Sequence, residues 1–570
     1  MNRQDKDLAP ARPAFWEQVV SPGLTGVSLA GHRQSIPKRL AVLEQMTEKP
    51  FAWVVLLGGT GTGKSTVFNL LSRAEISRTG VERPMTSGPV MTVPAGVDPG
   101  PWLPWFLPPA ERLSPGASSS GRQDRIQILT HDNQQFSHLA FVDTPDLDSL
   151  EEHNQDMAEN MALLADAVIF VLSQEKYADQ VLVEALSRVH GSGKPVLALL
   201  NRVHVNEQDQ QELAEDVLQT LDPDRAWLHA QDLQLLPFFR SKPQQGPREE
   251  HALFRAAAGL VSRDDLAGFL RAQAQTQWQR LRLDIKEVVG VLRAEDRAAE
   301  DWKTRLDSLL DQSREQLLRK AEQAFEHTSR ANIQAEIRKL FSRYDLLAGP
   351  RRLVSKTVLA PIRLLGLSRA KSRRSRHEAL KHARHKAAWT PVLEALNLFQ
   401  QRTLETLSPA DRTSPVFHDL RREGTLLGQE EAREMVEQRQ AELAGWLESR
   451  FEALAENVPR SRVFGMYTTS VLWGVLLLSF ETAIGGGITL IEALINSAVA
   501  PFLTKGAVEL FAYREVQAIT RELARRSEQG LFSVLTEQRD RFAACVDRHL
   551  APAEAVQELE SLSARKRFEA

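Results

Sequence analysis

The 570-residue sequence predicts two parts: an α/β domain with a mostly parallel sheet and helices on both faces, then an all-α elongated bundle or stalk. Before residue 250, short β-rich apolar runs alternate with amphipathic stretches, and this alternation favours a parallel sheet that is buried on both faces. After residue 250, apolar residues recur at helical spacing, which favours long amphipathic helices.

The composition is that of a folded protein. Hydrophobic residues make up 42% of the chain and charged residues 25%, which argues against global disorder. The net charge of −3 indicates no nucleic-acid partner. A single cysteine, Cys545, cannot form an internal disulfide, and residues 1–16 lack the apolar core of a secretory signal. We therefore expect a reducing compartment, the cytoplasm.

Several apolar runs in the first part are interpreted as buried strands. They are 51–57, 126–130, 139–142, 167–172 and 195–200. Helical patterns at 150–165 and 177–190 separate the last three of these runs. The stretch 93–122 is rich in Pro, Gly and Ser, and we expect it to be an irregular insertion.

The strongest motif follows the first strand and leads into a predicted helix that continues through Thr66. It matches the phosphate-loop pattern G-x-x-x-x-G-K-[ST] and consists of Gly58, Gly59, Thr60, Gly61, Thr62, Gly63, Lys64 and Ser65. Small residues let backbone N–H groups surround a phosphate, and the helix N-terminus adds a positive dipole end. Lys64 is expected to reach the β- and γ-phosphates, while the Ser65 hydroxyl ligates Mg²⁺. The alternative is a glycine-rich turn with a chance lysine, which the strand–loop–helix context disfavours.

A second motif, Asp143-Thr144-Pro145-Asp146, comes directly after the predicted strand 139–142. Phosphate-loop enzymes place an acidic residue at the end of such a strand to hold the water shell of Mg²⁺. Asp-Thr-Pro is also a common turn, and this alternative stays open. The phosphate loop earlier in the chain favours Asp143 as a magnesium residue.

A third element is the loop Arg83-Pro84-Met85-Thr86. A threonine between the phosphate-loop helix and the next strand can add a hydroxyl to Mg²⁺ when a γ-phosphate is present and leave after hydrolysis. The alternatives are an ordinary proline-bearing turn and a rival threonine, Thr92.

The order of these motifs, with Asn201-Arg202 further along the chain, resembles the translation-factor-related class of P-loop GTPases. The helical second half most resembles bacterial dynamin-like proteins. The resemblance covers residues 50–242 by motif and rests on architecture beyond them. It implies GTP and Mg²⁺ as ligands, and it implies roles for the following residues: Lys64, Thr86 and Asp143 in catalysis; Ser65, Thr86 and Asp143 at the metal; Asn201, Arg202 and Ser241 on the base side.

This chain departs from the family pattern at three positions. His204 replaces the aspartate of the Asn-Lys-x-Asp motif, and it cannot accept two hydrogen bonds from guanine, so ATP remains an alternative to GTP. Asp146 stands where the family usually has glycine. Leu147 stands where some members carry a water-orienting glutamine, so we expect slow intrinsic hydrolysis that dimerisation stimulates.

The remaining sequence divides by composition, with helical patterns at 376–407, 428–458 and 514–562. The predicted domains are a helical lead-in at 1–49, a P-loop domain at 50–245, a helical bundle or stalk at 246–460, an apolar helical hairpin at 461–513 and a C-terminal bundle helix at 514–570.

Two segments raise the question of a membrane. Residues 463–504 contain only two charges, Glu481 and Glu492, and this hairpin either enters lipid or forms the centre of a helical bundle. Residues 351–376 contain nine Lys or Arg residues and no acidic residue. Such a segment suits anionic lipid headgroups, a solvated linker or RNA.

The leading hypothesis is a Mg²⁺-dependent, slow GTPase whose nucleotide state controls dimerisation or higher oligomerisation and membrane association. It predicts a cytoplasmic protein, peripheral or integral at the inner membrane, with nucleic acid not expected as a partner. The alternatives are a nucleotide-dependent scaffold that does not hydrolyse, and a soluble regulatory GTPase that acts on ribosomes or RNA.

Overall fold

The chain forms two compact units. The computed structural model describes residues 22–73, 76–77, 88–114, 121–149, 151–204, 209–237, 247–343, 389–456, 464–484 and 507–565. The sheet unit consists of Ser28–Leu292 with the C-terminal segment that begins at Ala551, and the helical unit consists of Pro22–Val27 with Arg293–Leu550.

The sheet unit contains one eight-stranded sheet with the spatial order β3-β4-β2-β5-β1-β6-β7-β8. Its strands are β1 Ala52–Gly58, β2 Val90–Pro94, β3 Ala110–Arg112, β4 Ile126–His131, β5 Leu139–Asp143, β6 Ala167–Ser173, β7 Val196–Val203 and β8 Leu233–Pro237. All neighbouring strands are parallel except β2 and β5, which are antiparallel. The predicted mostly parallel sheet is confirmed.

The helices account for most of the remaining described residues. They are α1 Ala30–Met46, α2 Lys64–Ser72, α3 Glu152–Leu164, α4 Gln180–Gly191, α5 Gln210–Leu221, α6 Pro247–Leu260, α7 Leu266–Arg343, α8 Trp389–Thr406, α9 Pro415–Asp419, α10 Gln429–Glu456, α11 Phe464–Ile484, α12 Ala507–Asp547 and α13 Ala553–Ala564. The 78-residue helix α7 contributes to both units, since the division falls after Leu292.

The central strand β1 is buried on both faces, which explains its continuous apolar sequence. Ala52, Val54 and Leu56 belong to one core, which residues of α1, α2, α6, α7 and α13 complete. Trp53 and Val55 belong to the core on the other face, with residues of α3, α4 and α5. Burying each large apolar side chain contributes about 1.5–3 kcal/mol, so the strand that precedes the phosphate loop is firmly held.

Three strands were not predicted from the sequence. The five-residue strand β2 is fully buried but ends at Pro94, at the start of the stretch expected to be irregular. β3 lies inside that stretch and has only three residues, two of them exposed. β8 completes the far edge beside β7. Because short strands show little periodicity, the pairing of the sheet identifies them better than their sequence does.

The helical unit contains two apolar cores. The N-terminal residues of the unit are held by Glu295, whose carboxylate accepts hydrogen bonds from the backbone N–H groups of Gly23, Leu24 and Thr25 at 2.6–2.9 Å. The pattern at 514–562 contains two helices, α12 and α13, because Pro552 stands at the start of the second. The basic segment 351–376 lies outside the described residues.

Within the apolar segment 463–504, the structure describes α11. Its Phe480 is fully buried in a core with residues of α10 and α12, and the ring of Trp473 lies 4.8 Å from that of Phe451. Residues 485–504 of the hairpin lie outside the described residues. Within the described ranges, no helix combines the length and the apolar character needed to cross a bilayer.

Candidate phosphate-binding site

The predicted site residues meet at one edge of the sheet. The strands β5, β1, β6 and β7 are consecutive and parallel, so their carboxyl ends lie side by side. Gly58 ends β1, Asp143 ends β5, and Asn201 lies near the end of β7. Ligands of open α/β sheets bind at this edge, and the structure brings these three residues together there.

The phosphate loop depends on glycine at its two ends. A Cβ on Gly58 would lie 2.2 Å from the carbonyl oxygen of Val171 in β6, so the loop can leave the sheet here only without a side chain. Gly63 has a φ of +95° and directly precedes α2, a left-handed conformation that glycine adopts without steric cost. The loop from Gly58 to Gly63 therefore ends at a helix N-terminus, where the first N–H groups have no partner within the helix and the positive end of the dipole favours an anion.

The ammonium group of Lys64 is turned onto this loop. Its side chain is 5% exposed, and Nζ donates hydrogen bonds to the carbonyl oxygens of Gly58 at 3.0 Å and Gly59 at 3.1 Å. Nζ also forms a short ion pair with the Asp146 carboxylate. Lys64 is thus a buried cation over the loop, where the sequence predicts that it meets the phosphates.

Ser65 and Asp143 lie against each other at the start of α2. The Ser65 hydroxyl donates to Asp143 Oδ2 at 2.7 Å, and the hydroxyl of Ser77 donates to the same oxygen at 2.7 Å. Asp143 Oδ1 is buried and has no hydrogen-bond partner among the described residues. Burial raises the pKa of Asp143, and the hydrogen bonds from Ser77 and Ser65 offset this only in part. A buried carboxylate oxygen beside a hydroxyl fits a hard cation such as Mg²⁺.

Asn201 packs under the phosphate loop. Its Nδ2 donates to the carbonyl oxygen of Thr62 at 2.9 Å, and its side chain is buried. A Cβ on Gly63 would lie 2.2 Å from this nitrogen. Arg202 has a left-handed φ of +61° where the register between β7 and β8 shifts. Asn201 therefore has a direct contact that positions the loop, and its contact with a base stays a prediction.

Because Gly63 lies close to Asn201, adding a methyl group at Gly63 is expected to affect nucleotide binding and not only stability. Gly63→Ala is expected to weaken nucleotide binding strongly, because the new methyl group collides with Asn201 Nδ2 and displaces the loop. The backbone strain alone is about 1–2 kcal/mol. Nucleotide affinity measured by isothermal titration calorimetry tests this prediction.

The matched control is Gly96→Ala. Gly96 has a similar φ of +83°, but a Cβ there meets nothing within 4 Å. Both variants should lose comparable backbone stability, and only Gly63→Ala should lose affinity. Equal affinities in the two variants would contradict the described loop geometry.

The other predicted residues divide between exposed, structural and undescribed positions. Thr66 is exposed in the first turn of α2. The rival threonine, Thr92, is buried in β2 with its Oγ1 3.2 Å from Ser72 Oγ, and this contact belongs to the core of the unit. Thr86 and Ser241 lie outside the described residues, so their predicted roles stay predictions.

Three site residues were missed in the sequence: Ser77, Asp148 and Lys176. Asp148 accepts hydrogen bonds from the backbone N–H and the hydroxyl of Thr60, and Lys176 binds its other oxygen. Ser77 follows α2 by five residues and is held by the side chain of Asn69. Single Ser, Asp and Lys residues carry no spacing pattern, but the positions of Asp148 and Lys176 just after β5 and β6 were a usable signal.

The two departures after Asp143 have clear places in the structure. Asp146, which stands where the family usually has glycine, points towards the loop and pairs with Lys64. Leu147 is 9% exposed and belongs to the core on the α3 face. Its backbone N–H donates to the Gly58 carbonyl oxygen at 3.2 Å. The residue at this position is thus a core contact with no polar group for a water molecule.

A separate group of possible metal ligands lies away from the loop, on α1 and α7. It consists of His32, Asp284 and Glu287. Arg39 already forms a short ion pair with Asp284, and Glu287 is largely exposed. We assign no metal to this group.

Comparison with known proteins gives structural neighbours only. No protein-family model and no curated protein matches the chain. The chains of solved structures that are similar include two that are both described as an oligomerised bacterial dynamin pair that provides a mechanism for long-range sensing and tethering of membranes. The first is 11% identical with a TM-score of 0.40 and covers 95% of this chain and 92% of its own. The second is 11% identical with a TM-score of 0.31 and covers 97% and 91%. Likeness of this extent does not assign a family.

Proposed function

We propose that this chain is a Mg²⁺-dependent nucleoside-triphosphate switch that binds GTP and hydrolyses it slowly. The observation that carries the proposal is the arrangement at the end of β1. A glycine-bounded loop precedes a helix N-terminus, Lys64 is buried over that loop, and Ser65 contacts Asp143. Backbone N–H groups, an ammonium group and a hydroxyl–carboxylate pair are the groups that a metal-bound polyphosphate requires.

Different residues hold the phosphates, the metal ion and the loop itself. The loop from Gly58 to Gly63 binds the phosphates through its backbone, and Lys64 compensates their charge. Ser65 and Asp143 hold Mg²⁺, with Thr86 proposed as a further ligand. The metal, when bound, stabilises negative charge on the phosphates. Asn201 fixes the loop from below through Thr62, which keeps these donors oriented before the nucleotide arrives.

The base side of the site carries the residues that distinguish guanine from adenine. His204 replaces the carboxylate that distinguishes guanine. Its backbone N–H donates a hydrogen bond to the side-chain oxygen of Gln174 at 3.2 Å. Arg202 and Ser241 remain proposed base-side residues. We propose GTP as the preferred nucleotide, with ATP as the alternative.

Hydrolysis is proposed to be slow because the position after Asp146 is apolar and buried. A leucine packed in the core cannot orient a water molecule. The same observation supports a second candidate function, a nucleotide-dependent scaffold that does not hydrolyse. In either case the bound nucleotide is proposed to control dimerisation and association with a membrane surface through 463–504 and 351–376.

Nucleotide competition on the full-length chain tests the proposal. The isolated fragment 1–250 is unsuitable, because residues of α6, α7 and α13 complete one core of the sheet unit. With Mg²⁺ present, GTP is expected to displace a fluorescent guanine nucleotide at lower concentration than ATP does. Chelation of Mg²⁺ should weaken both. Displacement by neither nucleotide would contradict the proposed function.

Phosphate release under multiple turnover separates the two candidates. The switch predicts slow release that rises with protein concentration and with vesicles of anionic phospholipid. The scaffold predicts bound triphosphate that stays intact. Co-sedimentation with the same vesicles in GTP and in GDP tests the membrane part independently.

A further inference from the structure

The carboxylate of Asp148 occupies a donor of the phosphate loop. Its Oδ1 accepts a hydrogen bond from the backbone N–H of Thr60 at 2.5 Å and another from the Thr60 hydroxyl at 2.7 Å. The Asp148 side chain is only 12% exposed. A loop that is built to donate N–H groups to an anion thus already donates one to an anion of its own chain.

The other oxygen of the same carboxylate is bound by a lysine. Lys176 lies three residues after the end of β6, and its Nζ is 2.7 Å from Asp148 Oδ2. Burial acts to raise the pKa of Asp148, but the hydrogen bonds from Lys176 and Thr60 outweigh it and lower the pKa to about 2. The group is ionised at neutral pH. The Asp148 carboxylate therefore lies between the Lys176 ammonium group and the Thr60 backbone of the loop, and both bind it.

A second carboxylate covers the other cation of the site. Asp146 forms a short ion pair with Lys64, the residue expected to meet the β- and γ-phosphates. Two anionic side chains thus hold a loop N–H, a loop hydroxyl and the loop lysine. A triphosphate brings several further negative charges to the same donors, and like charges at contact distance repel strongly where water is excluded. Nucleotide entry therefore requires that these carboxylates withdraw.

We propose that Asp148 is an internal stand-in for the terminal phosphate, and that Lys176 passes from Asp148 to that phosphate when a nucleoside triphosphate binds. This inference rests on the proposed function. It makes Lys176 a second phosphate-binding lysine beside Lys64. It also makes the segment after Asp143 sensitive to the terminal phosphate, since Asp148 is held only while that phosphate is absent.

The competing explanation is purely structural. The pair Asp148–Lys176 joins the loop after β5 to the loop after β6, and such a link serves the fold without meeting a ligand. The two explanations differ in one respect. A structural link affects triphosphate and diphosphate binding equally, whereas an exchange of partners affects the triphosphate selectively.

The experiment measures dissociation constants of the full-length chain, with Mg²⁺, for a slowly hydrolysed GTP analogue and for GDP. Asp148→Asn is expected to bind the GTP analogue about tenfold or more tightly than the unmodified chain, because the internal competitor loses its charge. Lys176→Gln is expected to bind it about tenfold or more weakly, with a much smaller change for GDP. Lys176→Arg should keep most of the affinity, since the charge is retained.

Lys286→Gln, an exposed lysine on α7, is the control for removal of one positive charge, and it should leave both constants unchanged. Equal losses for GTP and GDP in Lys176→Gln, or no gain in Asp148→Asn, would overturn the exchange while leaving the nucleotide site intact. Failure of the unmodified chain to bind either nucleotide would instead overturn the proposed function, and with it this inference.

Discussion

Lys64→Ala is expected to abolish nucleotide binding, with a loss of affinity of at least about 100-fold, since charged hydrogen bonds of this kind contribute ~1.5–3 kcal/mol each. The reason is its position: Nζ lies over the loop within 3.0–3.1 Å of the carbonyl oxygens of Gly58 and Gly59 and is almost fully buried. A methyl group at this position leaves the loop backbone without its cation. Equilibrium binding of fluorescent GTP and ATP analogues to the full-length chain measures the effect.

Two controls make this result specific. Lys286→Ala removes an exposed lysine from α7 and should bind nucleotide as the unmodified chain does. Circular dichroism of Lys64→Ala should be unchanged, because the β1 strand below the loop is fixed by apolar burial and not by this lysine. A natively folded Lys64→Ala chain with unchanged affinity would remove the assignment of the phosphate site.

The sheet was predictable where its strands are long and apolar. The runs at 51–57, 139–142 and 167–172 each differ from the observed strands by no more than one residue at either end. β1 and β6 are buried on both faces, and such strands carry a continuous apolar signal that does not depend on pairing. The antiparallel pairing of β2 with β5 could not be predicted, because nothing in five residues that end in proline specifies a partner.

The site was predictable where one contiguous motif describes it. Gly58 to Ser65 form a unit in the sequence and in the structure, because the loop closes on itself locally. The contacts of Thr60 with Asp148 and of Ser65 with Asp143 join residues 88 and 78 positions apart. Such contacts depend on which strands become neighbours. Asp143 was predicted as a site residue because it directly follows a predicted strand. Asp148 and Lys176 were not predicted.

The helical unit shows how helical periodicity leaves the packing partner open. The pattern over 514–562 is continuous by apolar spacing, yet Pro552 begins a new helix whose apolar residues join the sheet unit. The hairpin likewise had two interpretations, lipid and bundle core. In its described part, Phe480 lies in a core with α10 and α12. An apolar helix face predicts that this face is buried against a partner. Only the tertiary structure identifies that partner.

Asp166→Asn is expected to cause a large loss of stability in the sheet unit. Asp166 is fully buried directly before β6. Its Oδ2 accepts a short hydrogen bond from Lys49 Nζ and another, at 2.7 Å, from the backbone N–H of Trp53. Burial lowers the pKa of Lys49 and lowers that of nearby Lys194 to about 7, with the charge of Asp166 opposing both shifts. Breaking a buried pair by removing one partner costs about 3–5 kcal/mol. Hydrogen exchange of peptides from β1 and β6 measures the loss locally.

The control and a double variant identify the cause. Asp224→Asn changes an exposed aspartate of the same unit and should leave exchange unchanged. Lys49→Met combined with Asp166→Asn should recover part of the stability, because the uncompensated ammonium group is removed with its partner. If Asp166→Asn alone exchanged as slowly as the unmodified chain, the buried pair would contribute nothing to the sheet. If it destabilised the sheet and the double variant gave no recovery, the loss would not come from the unpaired Lys49 ammonium group, because the double variant lacks that group.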